Sequence, residues 1–211
     1  MTNNLIITIG RQYGSGGREI GEKLAKKLGI AFYNNELITM AANKSGMAHN
    51  VVGEADEKAT NSLLYTLAMG SSFFNGNAGI AFDMPINDKL FVTQSDIIKG
   101  LADEAPAVFI GRCADYVLRD CPNLLKLFIH APLEFRSKHV SERHDVTVDK
   151  AKDIIVKTDK RRSNYYNYYT GQKWGKLDNF DVSVDSSKLG IDGTVEFLAS
   201  FVEDYKKAKS L

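Results

Sequence analysis

A run of glycines near the start of the chain could hold a phosphate group. Residues 5–9 are apolar and mostly β-branched, and they lead into Gly14, Ser15, Gly16 and Gly17 and then into an amphipathic stretch. Closely spaced glycines let backbone N–H groups surround an anion, and a helix that begins there adds the positive end of its dipole. We predict a phosphate-binding turn between a strand and a helix. The alternative is an ordinary turn whose glycines serve only the chain reversal.

This glycine loop (residues 10–18) departs from the P-loop pattern G-x-x-x-x-G-K-[ST], in which the lysine reaches the β- and γ-phosphates. With Gly16 as the last glycine of the pattern, Gly17 stands at the lysine position and Arg11 at that of the first glycine. Arg18 carries a permanent charge on a planar fork suited to phosphate, so we predict that it replaces the lysine. Arg11 is the alternative. Glu19 would repel phosphates unless it points away, pairs with Arg18 or holds Mg²⁺ through water.

A second candidate phosphate contact follows a strand in the middle of the chain. Arg112 comes two residues after the predicted strand 107–110. In open α/β sheets ligands bind at the carboxyl ends of strands, where an arginine can hold a phosphate with both arms. The alternative is a surface arginine paired with Asp115 or Asp120.

Further basic residues lie in residues 134–175, where two helices are predicted. A charge run of this kind is usually a solvated face. Beside a phosphate loop, however, a helical hairpin can close over a transferring phosphoryl group, supply positive charge and exclude water. We assign this role to Arg161 and Arg162, with Arg136 at the base of the hairpin.

The tyrosine-rich stretch 165–169 follows these arginines directly. Aromatic and basic residues together can stack on single-stranded nucleic acid. The formal net charge of +1 disfavours a nucleic-acid surface. Packing of the hairpin, stacking on a nucleotide base and a subunit contact remain open for these tyrosines.

Apolar segments that favour β-structure are spread along the chain and separated by helical patterns. They lie at residues 5–9, 107–110, 124–129 and 180–184, with a short fifth candidate at 31–33. This alternation predicts an α/β fold with a parallel sheet and helices on both faces.

The 211 residues suffice for one domain with a full hydrophobic core. Residues 36–104 are too long for a simple crossover and predict a helical lobe, with helices at 36–44, 54–67 and 89–101. No segment resembles a signal peptide or a membrane span, so we expect a cytoplasmic protein without a membrane partner. The two cysteines lack the spacing of a metal or redox site and are expected to be packing residues.

In this order the segments resemble the cytidylate kinase-like branch of the P-loop nucleoside monophosphate kinases. The resemblance covers nearly the whole chain. It rests on residues 9–20, 32–37, 111–112, 134–136, 159–165 and 180–186.

The resemblance implies a single kinase-like domain. Its core is residues 1–35, 105–133 and 176–211, its acceptor lobe is 36–104 and its lid is 134–175. It implies transfer of the γ-phosphoryl group of ATP, with Mg²⁺, to a nucleoside monophosphate, by default CMP or dCMP. Residues 14–19 would bind the ATP phosphates, and Arg112, Asp115 and Arg136 the acceptor. Cys113 occupies the place of an aspartate that helps to read cytosine in the family, which leaves the base preference open.

Because Gly17 replaces the lysine, we predict slow phosphotransfer. The alternative is a nucleotide-binding protein that has lost catalysis and serves as a sensor or partner-binding module. Self-association into a homo-oligomer is left open.

Overall fold

A five-stranded parallel sheet forms the centre of the protein. The computed structural model describes residues 4–34 and 86–210. The strands are β1 (Ile6–Arg11), β2 (Ala31–Tyr33), β3 (Ala107–Ile110), β4 (Leu124–His130) and β5 (Val182–Asp185). Their order is β2-β3-β1-β4-β5, and every neighbouring pair is parallel. The predicted α/β class is confirmed.

Two hydrophobic clusters cover the two faces of the sheet, because successive side chains of a strand point to opposite sides. Ile7 packs in one cluster with residues of α1 (Gly17–Leu28) and of the last helix. Ile6 packs in the other with Phe109 and with residues of α2 (Ile86–Glu104). The described end of the predicted acceptor lobe is therefore part of the layer that covers the sheet. The short helix α3 (Ala114–Val117) completes that layer after β3.

The predicted lid is a hairpin of two helices, α4 (Leu133–His144) and α5 (Val148–Thr170). Asp145 ends α4 in the left-handed conformation, with φ of 51°. Thr147 caps α5, since its side chain accepts a hydrogen bond from the Lys150 N–H at 3.3 Å. A small apolar cluster between the two helices includes Tyr13 of the glycine loop. The lid thus packs directly against the loop.

Some details of the elements have local causes. β5 begins at Val182 instead of residue 180, because a 3-10 helix (Leu177–Asn179) ends at Phe180. The last helix, α6 (Ser186–Lys209), contains Gly190 with φ of 66°, which kinks it. The helices predicted at 36–44 and 54–67 lie outside the described residues.

Candidate active site

The glycine loop leads into the first turn of α1, whose backbone N–H groups are not used by the helix itself. Gly14 and Gly16 adopt left-handed conformations, with φ of 81° and 76°. The first helical hydrogen bond runs from the Ile20 N–H to the Gly16 carbonyl at 2.9 Å. The N–H groups before Ile20 have no partner within the helix. Their positive ends, together with the helix dipole, make this turn suitable for an anion.

Ser15 supports the loop instead of facing the site. Its side chain is fully buried. Its hydroxyl lies 2.9 Å from the Gln12 carbonyl and 3.2 Å from that of Ile129. The Ser186 hydroxyl donates to the Ser15 carbonyl at 2.7 Å. Ser15 is absent from the described residues that line the cavity beside the loop, so its side chain braces the loop, and its predicted phosphate contact would be made by the backbone.

A left-handed turn directs Arg112 at the end of β3. Gly111, Arg112 and Cys113 have φ of 67°, 59° and 55°. For the two non-glycine residues this conformation costs about 1–2 kcal/mol each, so the fold must hold it in place. Burial, with a smaller contribution from the charge of the nearby Arg162, lowers the pKa of Arg112 to about 10. Arg112 therefore remains charged at neutral pH.

Asp115 lies buried in the first turn of α3, close to the lid. The Tyr166 hydroxyl donates a hydrogen bond of 2.6 Å to its Oδ2. Burial raises the pKa of the Asp115 carboxyl, although the Tyr166 hydrogen bond acts in the opposite direction. This contact joins α5 to the carboxyl end of β3.

The lid arginines reach the glycine loop. Arg162 donates from Nη1 to the Arg11 carbonyl at 3.2 Å, and its Cζ lies 5.3 Å from the centre of the Tyr13 ring. Arg161 lies one residue earlier on α5, with Nη2 3.3 Å from the Thr158 hydroxyl. Tyr13 also meets α4, because its hydroxyl is 3.0 Å from His144 Nε2.

These three regions enclose one cavity of about 340 Å³. Six arginines are among the described residues that line it: Arg11, Arg18, Arg112, Arg143, Arg161 and Arg162. The acidic side chains in the same lining are Glu19 and Asp115. Glu19 pairs with Lys23 at 3.0 Å. The excess of positive charge and the volume suit a small ligand with several phosphate groups.

Arg136 does not belong to this lining. Its Nη1 donates to Asp159 Oδ2 at 2.6 Å and to the Tyr13 carbonyl at 3.1 Å, while Nε donates to the Ala131 carbonyl at 2.9 Å. Asp159 Oδ1 accepts the Tyr13 N–H at 2.7 Å. These contacts occupy the guanidinium within the fold, so we assign Arg136 a positioning role instead of the predicted acceptor contact.

A comparison with known families agrees with this arrangement. The sequence model of the cytidylate kinase-like family matches residues 6–188, from β1 to the start of the last helix. The chain belongs to this family.

Curated relatives of this cytidylate kinase-like chain have low sequence identity. The cytidylate kinase of Methanopyrus kandleri is 23% identical over 201 residues, which is 95% of this chain and 94% of that protein. The cytidylate kinase of Methanobrevibacter smithii is 29% identical over 151 residues, or 72% and 71% of the two chains. The match to the cytidylate kinase of Staphylothermus marinus, 27% identical over 84 residues, covers 39% of this chain and about half (47%) of that protein.

Solved structures confirm the kinase fold. An uncharacterized protein from Eubacterium ventriosum is 26% identical with a TM-score of 0.69, covering 95% of this chain and 99% of its own. Shikimate kinase from Bacteroides thetaiotaomicron has a TM-score of 0.54 at 11% identity, covering 94% and 98%. The second likeness shows the fold alone. No helix in residues 4–34 and 86–210 is long and apolar enough to cross a membrane.

The tyrosine-rich stretch of this cytidylate kinase-like protein packs the lid on the core. Tyr169 stacks on Phe91 of α2 at 4.1 Å, and its hydroxyl donates to Asp88 at 3.1 Å. Tyr165 meets the same Phe91 ring edge-on at 6.3 Å. Of the three roles that the sequence left open, packing is the one these contacts fill.

Some cavity residues escaped the sequence reasoning. His139, Arg143 and His144 line the cavity, whereas the sequence indicated solvated positions for the two histidines and assigned no site to Arg143 beyond the basic hairpin. The spacing of His139 and Arg143, four residues apart and therefore on one face of α4, was the available signal.

Proposed function

We propose that the protein is a small-molecule kinase that transfers the γ-phosphoryl group of ATP to a nucleoside monophosphate, with CMP or dCMP as the default acceptor. One observation carries the proposal. Arginines from the glycine loop, from the end of β3 and from the lid line a single cavity. Phosphoryl transfer depends mainly on positioning and on charge stabilisation around the phosphates, and this arrangement supplies both.

The proposed roles divide along the cavity. The backbone of residues 14–19 and the cations of the glycine loop hold the ATP phosphates. Arg112 holds the phosphate of the acceptor, since it lies at the end of the neighbouring strand. Arg161 and Arg162 stabilise charge on the group in transfer.

Asp115 is the residue that we assign to the acceptor base. Its carboxyl is buried and lines the cavity. A carboxylate accepts hydrogen bonds from an exocyclic amino group such as that of cytosine. The side chain of Cys113, two residues earlier, offers only a weak donor. A preference for CMP would therefore depend on Asp115.

Magnesium would enter with the nucleotide. Mg²⁺ in such sites is held by one or two carboxylates, by substrate phosphates and by water. Glu19 fits this pattern, because it lies in the first turn of α1 and lines the cavity. Bound there, the ion would neutralise charge on the phosphates.

The second candidate is a nucleotide-binding protein with little or no catalysis. Gly17 at the lysine position favours it, and the same feature leads us to expect slow turnover under the first proposal.

A coupled ADP-release assay with ATP and Mg²⁺ across CMP, dCMP, UMP, AMP and GMP tests the proposal, run beside calorimetry of ATP binding. We expect slow turnover with CMP or dCMP. Arg112→Ala should raise the KM for the acceptor or abolish turnover, whereas Arg119→Ala removes an exposed arginine outside the cavity lining and should leave turnover unchanged. ATP binding without turnover on any acceptor would select the second candidate. A protein that binds no nucleotide would contradict both.

A further inference from the structure

Two residues of the glycine loop are exchanged relative to the P-loop pattern. The pattern has glycine at the first position and lysine at the seventh. This chain has Arg11 at the first of these positions and Gly17 at the seventh. The cation and the glycine have therefore changed places within one loop.

The structure shows that these two positions share one space. A Cβ atom placed on Gly17 would lie 2.6 Å from Arg11 Cβ and 3.2 Å from Arg11 Cγ. Contacts of 2.6 Å between carbon atoms are not tolerated, and Cβ cannot swing away as the end of a long side chain can. A full side chain fits at position 11 or at position 17, but not at both.

Conformation does not explain the glycine at position 17. Gly17 is the first residue of α1, and its φ is not in the left-handed region. Glycine at a helical position is disfavoured relative to alanine. A Cβ atom there would also lie 3.2 Å from Ile129 Cβ, but the shortest contact, at 2.6 Å, is with Arg11, so room for Arg11 is the tightest constraint at this position.

The far end of Arg11 lies against a second glycine. Gly111 follows β3, and a Cβ atom there would lie 3.0 Å from Arg11 Cζ and 3.5 Å from Nη2, with Nη1 nearer still. The side chain thus passes over the start of α1 and ends beside the turn that carries Arg112. Its guanidinium lies beside the turn that carries Arg112, and Arg11 lines the same cavity as the glycine loop.

We propose that Arg11 takes over the role of the P-loop lysine, with its side chain occupying the space that a lysine at position 17 would need. The inference rests on the proposed function and deepens it. It favours Arg11 over Arg18, because Arg18 is exposed on the second position of α1, whereas Arg11 crosses the position from which the lysine would start. Gly17 and Gly111 are the positions that make room for it.

The decisive experiment restores the P-loop pattern, with glycine at position 11 and lysine at position 17. Arg11→Gly, Gly17→Lys and the double variant Arg11→Gly/Gly17→Lys are compared by calorimetry with ATP, AMP and inorganic tripolyphosphate. Arg11→Gly removes a charged hydrogen-bonding partner of the phosphates. The variant should therefore bind ATP and tripolyphosphate about 10- to 100-fold more weakly than wild type, while its affinity for AMP should change much less. Gly17→Lys alone should also weaken ATP binding, because the two side chains compete. The double variant should regain ATP affinity to within a few fold of wild type.

A readout without nucleotide tests the geometry separately. Gly17→Ala should lower the melting temperature of the wild-type protein and lower it less in the Arg11→Gly background, since the clashing atom is gone. Arg18→Ala is the control that removes one positive charge from the same loop at another position. It should weaken tripolyphosphate binding less than Arg11→Gly does.

Several results would overturn the proposal. One is a double variant that binds ATP no better than Arg11→Gly. Another is unchanged ATP affinity in Arg11→Gly with a large loss in Arg18→Ala. Either result would leave the proposed kinase function standing if wild type binds ATP. A wild-type protein that binds neither ATP nor tripolyphosphate would refute the proposed function together with this inference.

Discussion

Replacing Asp159 by alanine removes the acceptor of two hydrogen bonds, one between the two lid helices and one from the glycine loop to the lid. Asp159 accepts from Arg136 Nη1 at 2.6 Å and from the Tyr13 N–H at 2.7 Å. The side chains of Arg136 and Asp159 are only 9% and 16% exposed. Breaking a buried pair by removing one partner costs about 3–5 kcal/mol, because the other charge remains buried. We expect a loss of this size in the free energy of unfolding.

Urea denaturation measures this loss. With a slope of about 2–3 kcal/mol per molar urea, a loss of about 4 kcal/mol shifts the midpoint by about 1.5 M. Arg136→Met/Asp159→Leu removes both charges and should be less destabilised than the sum of the single changes, by about 2 kcal/mol or more. Glu196→Ala is the matched control, since it breaks an exposed ion pair with Lys27. Its midpoint should stay close to that of wild type.

The reasoning fails if Asp159→Ala is as harmless as Glu196→Ala, because the pair would then behave as a solvated surface contact. It also fails if the two charge removals are additive. If Arg136→Met raises the KM for the acceptor without changing the free energy of unfolding, Arg136 contacts the acceptor, as the family resemblance implies.

Four other predictions concern the cavity and the cysteines. A crystal grown with sulfate should show the anion against the backbone of residues 14–18, and side chains filling that place would exclude a nucleotide role. Arg112→Ala should raise the acceptor KM or abolish turnover while calorimetry finds ATP affinity nearly unchanged; lost ATP binding with an intact fold would contradict this. Arg161→Ala should reduce kcat by about 10³-fold in the coupled assay with little change in ATP affinity, and an unchanged rate would make the lid charge a solvated face. Burial raises the pKa of both thiols, and that of Cys113 well above its usual value; because Cys113 is buried and Cys121 only half-buried, iodoacetamide at pH 8 should label Cys121 first, and equal labelling by mass spectrometry would contradict this.

Most of the sheet could be predicted because its strands are short apolar runs between helical patterns. The strands β2 and β3 have the predicted ends. β5 begins later than predicted because Phe180 closes a 3-10 turn, with its N–H bonded to the Leu177 carbonyl at 3.0 Å, and packs on Phe128. That packing joins residues 52 positions apart, and apolar content alone does not distinguish a packed turn residue from a strand residue.

The site was harder to predict than the fold, because it depends on contacts between residues that are far apart in the sequence. Arg112, Arg161 and Arg162 could be chosen from their position after a strand or on a hairpin. The choice of Arg18 over Arg11 followed sequence adjacency, whereas our proposal for Arg11 rests on side-chain space at Gly17 and Gly111, which the sequence does not show. The partner of Arg136 lies 23 residues away on another helix, so its charge looked available for a ligand.

The contacts of the glycine loop bear on how the lid acts. The first half of the loop is bonded to the lid, through Asp159 to the Tyr13 N–H and through Arg162 to the Arg11 carbonyl. The second half is fixed by the start of α1 and by Ser186 on Ser15. Asp159 precedes Arg161 and Arg162 by less than one helical turn, so its bond to Tyr13 sets their distance from the phosphate-binding backbone.

Charge that is already aimed at the phosphates requires little rearrangement during the reaction. We therefore expect the Asp159 contact to affect the rate through Arg161 and Arg162 as well as the stability. Asp159→Asn keeps an oxygen that can accept the Tyr13 N–H and should retain more activity than Asp159→Ala, when both are assayed in urea-free buffer at a temperature where each remains folded. Equal activities in the two variants would show that the loop positions the lid arginines by some other contact.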